Sequence, residues 1–528
     1  MFRIALALLL VLVPAAARAE WWRAETDHFI IYSEDKKAAT QEFAIQLERF
    51  DNALRTLQNL PLRPEKPLSR ANKVTIFRTG SVRDIAYLAG APGSGVAGFY
   101  IPRAGAAVAF TPVRADLRDT RSRSVEGRVD EAGTDLDPRS ILQHEYVHHF
   151  MLQTFPATYP DWYVEAFAEL YATIVLNPDG SFHVGNPPQY RAAQIYQLPD
   201  VPLKELFDQN DKRDGLQHIQ FYGYGWLLTH YLSFEPKRDG QLRAYLRALG
   251  RGEDGLTAAR SAFGDLAQLA KEVRAYKSVA RSGKFPGYAV KPKNYAPPSV
   301  EVRALTPAET AVMGEYIRSK RGVTLKQARD VADDIESKAR RFTDSLFAQI
   351  AASEAFLDAR RFAEADAAAD RALAIDPRST DALIFKGMIA IEQGKAGDKA
   401  RFAAARPPLV KATRLDPDDP RPFILYYETF RRAGEKVPEA AVVGLEQIFS
   451  QAAFDSNYRL TLARQLLAEG KGKLAGDVLG PVTYQFHGDQ KENKLRPVMD
   501  LIKADKVPEA RAKLEEVIKK AEEEAKKG

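Results

Sequence analysis

Ile141-Leu-Gln-His-Glu-Tyr-Val-His-His-Phe150 carries two histidines four residues apart with a glutamate after the first, His144-Glu145-x-x-His148. The run reads as helical, and on a helix residues four apart stand one above the other on the same face. His144 and His148 can therefore offer two imidazole nitrogens to a single ion. Glu145 is turned to one side, where it can reach a water held by that ion. The bland alternative is a chance match in an ordinary helix, but only 8 histidines occur in 528 residues. Zinc needs a third protein ligand and an open position for water. Seventeen residues after His148 stands Glu165, within Pro160-Asp-Trp-Tyr-Val-Glu-Ala-Phe-Ala-Glu169. Trp162, Phe167 and Leu170 supply apolar packing, so the stretch reads as a second helix laid against the first and offering Glu165 to the metal. Glu169, one turn on, is placed to hold a ligand histidine by its other ring nitrogen. Two acidic residues on a helix usually mark a solvated face; beside the histidine pair the balance reverses.

His144-Glu-Tyr-Val-His148 followed by Trp162-Tyr-Val-Glu-Ala-Phe-Ala-Glu169 resembles the gluzincin superfamily of zinc metallopeptidases, and within it the bacterial peptidase MA-like family. The likeness spans roughly residues 21 to 280. It implies zinc held by His144, His148 and Glu165, with Glu145 as the base. The family wording is Glu-Gly-x-Ala-Glu, and Ala166 stands here in place of the glycine, one methyl larger. Related proteins carry a tyrosine four residues before a tryptophan, which selects Tyr222 before Trp226 as the donor to a developing oxyanion, ahead of Tyr224. No Gly-x-Met-x-Asn stretch of the kind that captures a substrate amino terminus is present, which favours internal cleavage.

Elements that must position these residues follow from periodicity. His28-Phe-Ile-Ile-Tyr-Ser33 and Lys73-Val-Thr-Ile-Phe77 read as strands, and residues 37 to 58 as an amphipathic helix with Phe43, Leu47, Phe50 and Leu54 at helical spacing. Gly95 to Pro102 and Ala106 to Pro112 suggest a hairpin through Ala104-Gly105. In gluzincins an edge strand along the cleft pairs with substrate, and by that likeness Ala106-Ala-Val-Ala-Phe110 is the candidate, against an internal strand. Arg114 to Asp137 is a charged surface excursion. His149 points around the helix as a packing residue, and His230 reads as a packed core histidine within the apolar helix Phe221 to Leu232.

Residues 284 to 299 form a proline-rich crossing. Beyond it Ser353, Phe356, Ala365, Ala369, Ala372 and Pro377 fall near the packing positions of a tetratricopeptide repeat, and Leu383, Gly387, Ala390, Ala405, Ala412 and Pro417 near those of the next. Asp376-Pro377 and Asp416-Pro417 are 40 residues apart, a 34-residue period with six inserted near Lys395 to Phe402. The expected fold is thus an α+β gluzincin-like zinc peptidase domain followed by an α-helical tetratricopeptide-like solenoid. Its expected divisions are a signal peptide over 1–19, the peptidase domain over 20–283, a crossing and helical connector over 284–340, and repeats over 341–528.

Met1-Phe-Arg3, the apolar run Ile4 to Val13 and Ala17-x-Ala19 make a secretory signal with cleavage before Glu20, hence a periplasmic or secreted chain. No comparable apolar run follows, so no integral membrane segment is expected in the mature chain. A net charge of +6, from 76 basic and 70 acidic residues spread throughout, argues against nucleic acid as a partner. No cysteine is present, which removes disulfides and thiolate chemistry. The functional expectation is a Zn2+ peptidase acting on a peptide or protein substrate, its repeats holding a protein partner or the substrate. A catalytically silent scaffold and a cell-wall amide hydrolase are the alternatives.

Overall fold

The computed structural model describes residues 20–94, 96–114, 138–208, 215–280, 285–293, 295–484 and 494–525. The expected signal over 1–19 and nearly all of the charged excursion, 115–137, lie outside them. In chain order come β1 (Trp22–Glu25), β2 (Phe29–Ser33), α1 (Lys37–Leu57), β3 (Val74–Arg78), α2 (Val82–Leu88), β4 (Phe99–Ile101) and β5 (Val108–Thr111). Then follow α3 (Pro138–Thr154), α4 (Asp161–Ala172), β6 (Val175–Leu176), β7 (Phe182–Val184), α5 (Ala192–Tyr196), α6 (Leu203–Phe207) and α7 (Gly215–Phe234). Helices α8 (Gln241–Gly250), α9 (Gly255–Phe263) and α10 (Leu266–Ala280) lead to β8 (Tyr288–Val290) and β9 (Glu301–Ala304).

The rest is helical: α11 (Pro307–Arg321), α12 (Leu325–Arg341), α13 (Leu346–Asp358), α14 (Phe362–Ile375), α15 (Thr380–Gln393), α16 (Lys399–Leu415) and α17 (Pro420–Arg432). It continues through α18 (Glu439–Gln447), α19 (Phe449–Ala452), α20 (Ser456–Ala468), α21 (Gly472–Tyr484), α22 (Arg496–Lys503) and α23 (Val507–Ala525). The molecule is therefore mixed α/β, with its sheet near the N-terminus and many helices beyond it. No described helix is long and apolar enough to cross a membrane.

The main sheet runs β4-β5-β3-β2-β1-β9. Strands β2, β3 and β5 are parallel to one another, while β1 with β2, β1 with β9, and β4 with β5 are antiparallel. Strand β2 is Phe-Ile-Ile-Tyr-Ser with all five residues buried. A strand without polar alternation needs cover on both faces, and β2 has it. Phe29 and Ile31 share a core with Leu47, Phe50 and Leu54 of α1 and Val147 and Phe150 of α3. Ile30 and Tyr32 turn the other way, onto Val312 and Tyr316 of α11 and Val331 and Ile335 of α12. The segment 284–340, expected as crossing and connector, thus contributes the edge strand β9 and two helices of the second face.

The expected hairpin forms at β4 and β5. Strand β5 is internal, between β3 and β4, so of the two readings of Ala106–Phe110 the internal one holds and the edge belongs to Phe99–Ile101. Further along, successive helices pack as neighbours, with small residues at the seams. At Gly387 of α15 a Cβ would stand 2.6 Å from Cδ2 of Leu409 on α16, so any larger residue there would have to displace that leucine.

Candidate metal centre

Helix α3 buries Leu142, Tyr146, Val147, Phe150 and Met151 in the core beneath the sheet. With that face inward, His144 and His148 turn toward α4. Helix α4 (Asp-Trp-Tyr-Val-Glu-Ala-Phe-Ala-Glu-Leu-Tyr-Ala) is buried over nearly its whole length between α3 and α7. Its carboxylates consequently point into protein rather than solvent.

The two Nε2 atoms of His144 and His148 are 3.0 Å apart. Oε2 of Glu165 lies 3.3 Å from Nε2 of His144 and 3.6 Å from Nε2 of His148. Ligand atoms about 2.0–2.1 Å from a tetrahedral zinc stand roughly 3.3 Å from one another. The triangle of two nitrogens and one oxygen matches the face such an ion would occupy, and the donor types suit zinc. His148 and Glu165 are almost fully buried, whereas the His144 side chain keeps 15% of its surface open. That opening supplies the access that an exchangeable fourth position requires.

Glu169 is wholly buried, with Oε1 3.6 Å from Nδ1 of His144. Its carboxylate is held at both oxygens: the Tyr190 hydroxyl donates to Oε2 at 2.6 Å, and Arg191 donates to Oε1 from Nε at 2.9 Å and Nη2 at 2.8 Å. A carboxylate so fixed can orient the imidazole of His144. The same Arg191 guanidinium lies 4.6 Å from the centre of the Tyr222 ring. Tyr190 and Arg191 were not foreseen from the sequence. They come from a short turn after Pro187-Pro188, and their role depends on where α4 and α7 place Glu169 and Tyr222.

Electrostatics tie Tyr222 and Glu145 to this group. Burial and then the charge of Glu165 push the Tyr222 phenol well above its ordinary pKa, with Glu169 and Glu145 adding to the rise and Arg191 opposing it. The phenol therefore remains a protonated donor. Tyr224 responds, after burial, to Asp200 and Arg274, and so belongs to different surroundings. For His144 burial is the largest influence and favours the neutral ring. The Glu165 hydrogen bond and the charges of Glu169, Glu165 and Glu145 outweigh it and raise the pKa. Arg191 balances Glu169, which leaves Glu165 and Glu145 beside two imidazoles. The pocket favours an added positive charge.

His149 packs as expected. It is buried, its Nδ1 lies 2.6 Å from the Tyr100 hydroxyl of β4, and its ring is 4.6 Å from that of Phe454. Burial pushes its pKa down to about 4. His230 is a core histidine between the Tyr276 hydroxyl at 2.7 Å and the Gly185 carbonyl at 3.0 Å.

A second buried group of ligand-type residues lies on another side of α3: His28, Glu48 and Asp51. Nδ1 of His28 is 2.6 Å from Oε1 of Glu48 and 3.4 Å from Oδ2 of Asp51. The first is a hydrogen-bond length, too short for two ligands of one ion. Arg55 pairs with Asp51, and the hydroxyl of Tyr146 on α3 donates to Oδ1 of Asp51 at 2.6 Å. The group is a buried cluster of hydrogen bonds and ion pairs that ties α1 to α3 through Tyr146. Glu48 and Asp51 sit beside Leu47, Phe50 and Leu54 on the apolar stripe of α1, and carboxylates on such a stripe were the available signal for it.

No protein-family model matches the chain, and no curated protein matches it either.

Proposed function

We propose that the protein is a zinc-dependent peptidase of gluzincin type, with zinc held by His144, His148 and Glu165. The observation that carries this reading is the triangle of ligand atoms at 3.0, 3.3 and 3.6 Å, backed by a carboxylate at the far nitrogen of His144. When bound, zinc supplies a Lewis acid that lowers the pKa of water and polarises a scissile carbonyl. Glu145 takes the proton of the attacking water and returns it to the leaving amine. Tyr222, kept protonated by burial and by the neighbouring carboxylates, donates to the oxyanion. Glu169, clamped by Tyr190 and Arg191, sets a negative charge 3.6 Å from Nδ1 of His144, which favours a proton there and leaves Nε2 for the metal.

The sequence-level features complete the proposal. The N-terminal signal pattern supports export to the periplasm or beyond, and the missing amino-terminus-capturing stretch supports internal cleavage. The close seam at Gly387 and the buried alanines Ala351, Ala365, Ala369 and Ala372 support tetratricopeptide-like pairing of the later helices.

Metal content and cleavage of a peptide library, measured on the chain from Glu20 and on Glu145→Gln, test the reading. One zinc per chain in both, with cleavage by the parent only, is the expected result. Tyr222→Phe should keep the zinc and lose roughly a hundredfold in kcat. Zinc in both proteins without cleavage of any peptide would instead support the scaffold reading. Absence of zinc after reconstitution would end the proposal.

A further inference from the structure

Besides covering one face of the sheet, the later helices meet the metal lobe through the N-terminal ends of α15, α17 and α20. Asp381 in the first turn of α15 pairs with Arg70 at 3.5 Å and with Arg421 at 2.8 Å. Asp419, the N-cap of α17, and Arg421 close over the tip of the β4–β5 hairpin. A Cβ on Gly105, whose φ is +71°, would stand 2.9 Å from Oδ1 of Asp419 and 2.6 Å from Cγ of Arg421. Asp455, the N-cap of α20, divides its carboxylate. Oδ1 accepts from the Asn457 and Tyr458 amides of its own helix, and Oδ2 accepts from the Ala104 amide in the hairpin at 2.8 Å. Ala104 is itself buried among Tyr427, Leu445 and Leu462.

Two neighbours of Asp455 reach the metal helix directly. Phe454 packs with the metal-lobe core rather than with the helical cluster, edge-on to the ring of His149. His149 follows ligand His148 in the chain and is held on another side by Tyr100 of β4, the strand whose hairpin tip Asp455 grips. Arg459, almost fully buried, donates from Nη2 to the Pro156 carbonyl at 3.4 Å, just beyond the end of α3, and from Nη1 to the Val478 carbonyl at 2.9 Å. One short segment of the helical region thus holds the edge hairpin, the residue beside a ligand and the exit of the ligand helix.

We propose that residues 454 to 459 are a positioning element for the metal centre, setting the rotation of α3 against Glu165 through His149 and the β4–β5 hairpin. The proposal rests on the zinc reading above. It gives the helical region a task within its own chain: these N-terminal helix ends are spent on the metal lobe and are closed to an outside partner.

The test compares the chain from Glu20 with Phe454→Ala, Phe454→Leu and Asp455→Ser. Serine still caps α20 but is too short to reach the Ala104 amide, and leucine refills most of the space that alanine empties. Zinc affinity by chelator competition and the visible spectrum of the cobalt-substituted proteins are read, with circular dichroism as the check on folding. Phe454→Ala should weaken zinc roughly tenfold, the low end for residues acting through a ligand, and shift the cobalt bands. Phe454→Leu should recover most of both, and Asp455→Ser should move both in the same direction by less. If Phe454→Ala does not fold, the leucine and serine variants decide. Equal affinity and identical spectra among the folded proteins would overturn this proposal alone. A parent that binds no metal would overturn the zinc reading and this proposal together.

Discussion

Two buried groups of histidine and carboxylate flank helix α3, built from the same side chains to opposite ends. In the His144–His148–Glu165 group the ligand atoms stand 3.0 to 3.6 Å apart and the nearby carboxylates outnumber the cations. In the His28–Glu48–Asp51 group the contact has shortened to 2.6 Å, and Arg55 and Tyr146 complete it. There burial, the largest influence on His28, favours the neutral ring, but Asp51 and Glu48 outweigh it and raise the pKa. Glu48 and Asp51 both lie beside His28, and Arg55 pairs with Asp51 inside the group. Residue type and burial do not separate a metal site from an ion cluster. What differs between the two groups is the spacing of the donor atoms and the arginine paired with Asp51.

Breaking each group should show this contrast, most strongly at the ligands. His148→Ala should abolish zinc binding and cleavage while leaving the metal-free protein close to its parent's stability, measured by denaturant unfolding after chelation. Asp51→Asn should do the reverse. It leaves Arg55 without its paired carboxylate and His28 with Glu48 alone, and should cost about 3–5 kcal/mol of stability, with one zinc per chain still bound in the fraction that folds. Loss of zinc from a well-folded Asp51→Asn protein would mean that the second group also serves the metal.

Added zinc sharpens the comparison. A ligand that binds only the folded chain stabilises it by about 4 kcal/mol when its concentration is a thousand times Kd. Thermal midpoints of the parent and of Asp51→Asn should therefore rise with zinc, and that of His148→Ala should stay put. The smallest effect is the pH dependence. His28 has a raised folded pKa, so its contribution to stability is complete below its unfolded value of about 6.5 and fades as pH rises through the folded value. His230 is pushed down to about 4 by burial, which outweighs its hydrogen bonds to backbone carbonyls. Its contribution is present above pH of about 6.5 and is lost as pH falls toward 4, up to roughly 3 kcal/mol. His28→Gln should flatten the alkaline side of the stability curve, and His230→Gln the acidic side. Equal flattening on both sides would refute the assignment of charge states.

How far the sequence discloses these features depends on whether one helix carries them. His144, Glu145 and His148 share a turn of α3, and Glu165 and Glu169 a turn of α4, so spacing alone brings out their common faces. Tyr190 and Arg191 gain meaning only after α4 and α7 have packed around them. Strand β2 shows in its unbroken Phe-Ile-Ile-Tyr run that both faces are covered, but the cover of one face comes from α11 and α12, about 280 to 300 residues away. Strands β1 and β9 have four residues each and little alternation, and β9 exists because β1, about 280 residues earlier, pairs beside it. Whether Ala106–Phe110 is an edge or an internal strand stayed open for a related reason: order in a sheet follows from pairings that local pattern does not encode.

The pairing of Trp22 with Ala304 also bears on the order in which the molecule can assemble. The first strand of the folded body waits for the ninth, so a ribosome must deliver about three hundred residues before that sheet can be finished. Closing so long a loop is slow, and until it closes β1 offers an unpaired edge.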